Sequence, residues 1–207
     1  MTSSVGGARR VSGVVRFMAL VAAIGLMVSG PPLGMAAATT QLPGMQVSPA
    51  PWRAERVDLV DRLQAIGLPA LREEGTALHT HQHLDVFVKG ERVPIPAGIG
   101  IDWANRFISP IHTHDASGII HVESPTVETF TLGQFFDVWG VRLDARCIGG
   151  YCADGATRLH VYENGTLVER DPRALALTPH AEIVVTYGTA ADGPQPVPRA
   201  YDFPPGL

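Results

Sequence analysis

The 207-residue sequence has no apolar run long enough for an ordinary membrane span, only two cysteines, and more acids than bases. Its longest apolar stretch, Phe17 to Val28, is twelve residues, against about 20 for a spanning helix. Sixteen Lys and Arg face 20 Asp and Glu, so no basic face is available for nucleic acid, which is excluded as an expected partner. HExxH, a Gly-x-Ser-x-Gly elbow and a phosphate-binding loop are all missing, so no standard hydrolase or nucleotide chemistry is visible. No internal repeat stands out.

The first 38 residues lack acids altogether and hold Arg9, Arg10 and Arg16, the apolar run, and Ala36-Ala37-Ala38. That is the layout of a signal peptide with a small-residue cleavage site, expected to be cut after Ala38, with an uncleaved anchor as the alternative. Arg9-Arg10 hints at the twin-arginine route, but Val11-Ser12-Gly13 continues that signal poorly, so the general secretory route is expected. No cysteine follows the run to support a lipoprotein anchor. The expected location is therefore extracytoplasmic, secreted or in the cell envelope, where a membrane-associated or secreted partner would be met. Without the three leader arginines, 13 bases face 20 acids, a net charge of −7 over 169 residues, a length that suits one domain.

Residues 39–51 contain Pro43, Gly44, Pro49 and Pro51 and read as a flexible tether. A single globular metal-binding domain is expected over residues 52–190, followed by a Pro-rich tail over 191–207. Val57, Val60, Leu63 and Ile66 recur every three residues, which suggests a short amphipathic helix closed by Gly67 and Pro69. Residues 84–95 read as a hairpin turning at Lys89-Gly90. Thr131-Leu-Gly-Gln134 has the form of a capping box, opening a helix through Phe135, Phe136, Val138 and Trp139 that Gly140 closes; those aromatics are read as core. Asn164-Gly165 suits a type I′ hairpin turn, and Glu182 to Tyr187 a last strand. The fold class is α+β, mainly antiparallel hairpins with one or two short helices. Its C-terminal order of hairpin, helix, hairpin and strand is β-grasp-like, an analogy that says nothing of function.

Six of the eight histidines alternate along two short runs, His79, His81 and His83, then His112, His114 and, past a turn, His121. Alternation is the strand period, so each run shows its imidazoles on one sheet face, where neutral histidine is a common transition-metal ligand. Asp115-Ala116-Ser117-Gly118 has turn composition. Pairing Asp115 with Gly118 sets His112 opposite His121 and brings His112, His114, His121 and Glu123 to one side, with Ile111, Thr113, Ile120 and Val122 on the other. A three-residue loop with a glycine bulge would instead turn His121 away. The expected metal ligands are His112, His114 and His121 first, then His81, His83 and Glu123, with copper or zinc as the ion because imidazole suits both. Asp85 and Asp115 could ligate or orient an imidazole, although Asp115 reads better as a turn residue. His160 and His180 stand alone and read as structural or surface groups.

Cys147 and Cys152, separated by Ile-Gly-Gly-Tyr, read as a disulfide in an exported chain. Thiolates serving as soft ligands for Cu(I) or Zn(II) are the alternative, and the Cys-x-x-Cys spacing of a redox pair is absent.

His-x-His with a third histidine from a neighbouring strand resembles, in geometry, the zinc site of α-carbonic anhydrases and the metal site of cupins. Cupins place a glycine six residues before the first histidine and a glutamate four or five after the second; Arg106 and Gly118 or Ile119 stand there, so the chain does not read as a cupin. The segments HTHDASGIIHVESP and FTLGQFFDVWG, with the closing HAEIVVTYG, resemble a set of exported bacterial and archaeal proteins over roughly residues 78 to 188. That resemblance implies export and supplies no activity. Three readings stay open: a metal-binding or metal-handling protein, a zinc or copper enzyme with one open coordination position, and an interaction module whose histidines are incidental.

Overall fold

The computed structural model describes residues 41–207 and, before them, only Gly6, Gly7 and Gly13. The leader expected over residues 1–38 otherwise lies outside the described residues. Among the described residues no helix is long and apolar enough to cross a membrane.

The fold is α+β, and its backbone is one long strand, β1 (Leu78–Val88). Along one edge β1 meets two partners in succession, both antiparallel: β6 (Ile119–Ser124) over residues 78–83 and β2 (Glu91–Val93) over residues 86–88. Along the other edge it runs parallel to the last strand, β11 (Glu182–Gly188). The sheet continues outward through β5 (Ile111–His112) beyond β6, and through β9 (Arg158–Glu163) and β10 (Thr166–Leu167) beyond β11. Two small ribbons stand apart, β3 (Ile101–Asp102) with β4 (Phe107–Ile108), and β7 (Cys147–Ile148) with β8 (Tyr151–Cys152). Most pairings are antiparallel, as expected, but the β1–β11 centre is parallel and joins the C-terminal strand to one outside the C-terminal part.

Local chemistry explains the turns. Lys89 and Gly90 have φ of +51° and +87°, and Asn164 and Gly165 have +51° and +77°, the left-handed pair that lets a two-residue loop follow the strand twist. Gly118 has φ +94°, and a Cβ there would lie 2.7 Å from the Leu84 carbonyl oxygen, so the fourth turn position requires glycine. Helix α2 (Leu132–Trp139) begins at the expected capping box and ends at Gly140, whose φ is +75°. It lies on the sheet face lined by Leu84, Val86, Ile111, Ile120, Val122, Ile183 and Val185, and Phe135, Phe136, Val138 and Trp139 are fully buried in the shared core. Burying one such phenylalanine contributes about 1.5–3 kcal/mol.

The first helix corrects the sequence reading. Helix α1 spans only Leu59–Ala65, and its inward residues are Leu59, Arg62 and Leu63. Val57 and Val60, expected inside, are 85% and 48% exposed. Three-residue spacing failed because the buried face includes an arginine. Arg62 pairs with Glu55, and its Nε donates to the Asp137 carbonyl at 2.7 Å while Nη2 reaches the Glu55 and Val138 carbonyls at 2.8 and 3.2 Å. Saturated with acceptors, the guanidinium can be buried.

The segment expected as a tether is also fastened down from Gln46 onward. Gln46 N–H donates to the Gly140 carbonyl at 2.7 Å, Gly150 N–H to the Ser48 carbonyl at 2.8 Å, and the Trp52 indole to that same carbonyl at 2.9 Å. Its prolines limit conformational freedom without preventing these bonds. At the other end, the Pro-rich tail returns to the sheet: the Tyr201 ring stacks on His83 at 3.7 Å, and Phe203 on His180 at 4.8 Å.

Candidate metal centre

The face of the sheet opposite α2 carries the histidines, and the middle strand β6 organises them. In the observed register His112 lies opposite His121 and Ile111 opposite Val122, the arrangement expected from an Asp115–Gly118 turn rather than from a bulge. Asp115 serves that turn: its Oδ1 accepts from Ser117 N–H at 2.9 Å, and the Ser117 bonds hold its carboxyl below the ordinary value. On the other flank of β6, His81 lies opposite His121 and His79 opposite Glu123. The two histidine runs therefore converge, with His121 between His81 and His112.

The resulting spacings suit shared ligation. His79 and His81 have Nε2 atoms 3.2 Å apart, and His112 and His114 have theirs 3.1 Å apart. Two ligands of one tetrahedral zinc, each about 2.0–2.1 Å from the ion, are themselves about 3.3 Å apart. Glu123 Oε1 lies 3.3 Å from His79 Nε2 and 3.2 Å from His121 Nδ1, and its Oε2 lies 3.9 Å from His112 Nε2. Ligand atoms of His79, His81, His121 and Glu123 fall within 4.8 Å of one another, and so do those of His112, His114, His121 and Glu123.

Electrostatics leave these groups in ligand form. Burial lowers His112 to about 4 against the opposing pull of Glu123, and the His114 charge adds to the lowering. Burial, with the charges of His121 and His79, likewise lowers His81 to about 4. Burial opposes ionisation of Glu123, but the His121 hydrogen bond and the nearby His112 and His79 outweigh it and bring the carboxyl to about 2. Near neutral pH His81 and His112 are thus neutral imidazoles and Glu123 a carboxylate, the forms that bind metal. The His112 tautomer follows from its neighbour: Nδ1 donates to the Ser109 carbonyl at 2.9 Å, so Nε2 carries the lone pair and turns it toward His114 and Glu123.

His83, expected among the ligands, stands apart despite sharing its strand face with His79 and His81. Its Nδ1 lies 2.7 Å from Glu182 Oε2 and its Nε2 lies 3.1 Å from the Ser117 carbonyl. Both ring nitrogens thus already face oxygen acceptors, one of them on a buried carboxylate. Asp85 belongs with it in a separate group with Glu182 and is held by Arg92 Nε at 2.8 Å.

Two residues beside the cluster were absent from the expected set. His79 follows from parity with His81 once β1 is known to pair with β6, and only that long-range pairing was missing. Glu74, 3.5 Å from His114 Nε2, comes from the loop before β1 and had no sequence signal. The cysteines drop out as ligands because Cys147 and Cys152 form a disulfide. Comparison of the chain with protein-family models, curated proteins and solved structures gave no match.

Proposed function

We propose that this is an exported protein that binds a transition metal, copper or zinc, on the histidine face of its sheet. The observation that carries the reading is His112: a fully buried imidazole, fixed by a backbone carbonyl, with its free nitrogen aimed at a second imidazole and a carboxylate. Histidine-rich sites with one carboxylate favour zinc and copper over magnesium or calcium, which prefer all-oxygen shells. Export is supported by the acid-free, arginine-flanked apolar leader and by the disulfide, which fits an oxidising compartment.

Binding or handling of the ion is the principal reading. A catalytic role draws support from one feature: the His79 and His114 side chains are 57% and 42% exposed, giving water or a small substrate a path to the ion.

The test is metal analysis by mass spectrometry after incubation with Cu(II) or Zn(II) and desalting. The protein is expected to retain metal, and the H121A/E123A double variant, with unchanged circular dichroism, to fall to background. A wild-type protein that stays metal-free with both ions contradicts the proposal.

A further inference from the structure

We infer that the histidine face is a dinuclear centre, in which the pair His79 and His81 holds one ion, the pair His112 and His114 holds a second, and Glu123 bridges them. This rests on the metal-binding reading and extends it to stoichiometry and architecture.

The donor count is the first argument. Five imidazoles and one carboxylate fall into two overlapping groups of four that share only His121 and Glu123. A structural zinc is satisfied by about four ligands, so a single ion would leave converged rings without a task. Strand order is the second. The two pairs approach from opposite flanks of β6, one from β1 and one from β5 and the turn that follows it, so their strands stand two spacings, about 9.6 Å, apart. Any two ligands of one ion lie within about 4.2 Å, twice a zinc–nitrogen bond. Each pair is already closed to 3.1–3.2 Å on its own side.

Glu123 supplies the third argument. Its two oxygens divide between the pairs, Oε1 toward His79 and Oε2 toward His112, as a carboxylate spanning two ions would. The lone pairs on Oε1 suffice for both the His121 N–H and an ion. Metals in two-metal centres stand about 3.5–4 Å apart, a distance that a syn–syn carboxylate bridges. Glu74, beside His114, offers a further negative charge against the two cations.

The test titrates the full chain with Zn(II) and counts bound metal after desalting, with Cu(II) loading to detect coupling. About two equivalents are expected for wild type and for H83A, and one each for H79A/H81A and H112A/H114A, all checked for folding by circular dichroism. Cu(II) spins in the wild type should couple, leaving less paramagnetic resonance signal than the copper present, and E123Q should restore it. One equivalent in wild type, lost when either pair is removed, overturns the dinuclear centre yet keeps the metal-binding reading. Two equivalents with uncoupled spins overturn the bridge, and loss of one equivalent in H83A reassigns the second ion to the His83 group. No bound metal removes both readings together.

Discussion

Arg62 and His112 are both 0% exposed, yet their surroundings differ in kind. The guanidinium is surrounded by acceptors, the Glu55 carboxylate and the carbonyls of Asp137, Glu55 and Val138, so its donors are satisfied within the fold. On the histidine face, imidazole nitrogens lie within hydrogen-bond reach of other imidazole nitrogens and near a carboxylate, with spacings that could also hold a metal ion. Burying a polar cluster is stabilising or neutral when it closes on itself and costly when it does not. The first cluster reads as structural glue between α1 and α2; the second is a cluster of imidazoles and a carboxylate that could hold a cation.

The largest expected effect comes from breaking the closed cluster. Arg62→Ala strands the buried Glu55 carboxylate and should cost about 3–5 kcal/mol in urea unfolding, equally with and without metal. A loss below about 1 kcal/mol would erase the contrast between the clusters. Next is metal loading of the histidine cluster. Zinc at a thousand times its dissociation constant should stabilise the wild type by about 4 kcal/mol, read as a rise in melting temperature, and H121A/E123A should lose that increment.

Acid probes the same face without mutation. His81 and His112 sit near about 4 in the fold against 6.5 unperturbed, so between those limits the unfolded chain binds more protons and stability falls as pH falls. Metal-free unfolding from pH 7 to pH 4 should show uptake of as many as two protons from these rings, and bound metal should shift the onset of that loss to lower pH. The smallest effect is a control remote from both clusters: Thr131→Ala removes the capping box of α2 and should cost about 1 kcal/mol with or without metal.

How much of this was legible beforehand follows from contact distance along the chain. The register that sets His112 against His121 was readable because turn composition and hydrophobic sorting both act within about a dozen residues. The Lys89-Gly90 and Asn164-Gly165 turns and the α2 capping box were readable for the same reason. Pairing of His81 with His121, and of β1 with β11, joins segments separated by dozens of residues without a local signature. The grouping of the histidines was therefore only partly visible: nothing local in the chain sets His79 with His121 and Glu123, or separates His83 from His81. Arg62 misled for a different reason, since apolar periodicity assumes that arginine faces water and cannot register an internal acid and three carbonyls.

Whether the histidine face binds a transition metal through its imidazoles is decided by zinc-edge X-ray absorption of the zinc-loaded protein. The expected spectrum has a first shell of nitrogen and oxygen at about 2.0–2.1 Å, with outer-shell imidazole scattering from at least two rings and no sulfur. A shell of water oxygens without imidazole scattering, or one containing sulfur, would contradict it.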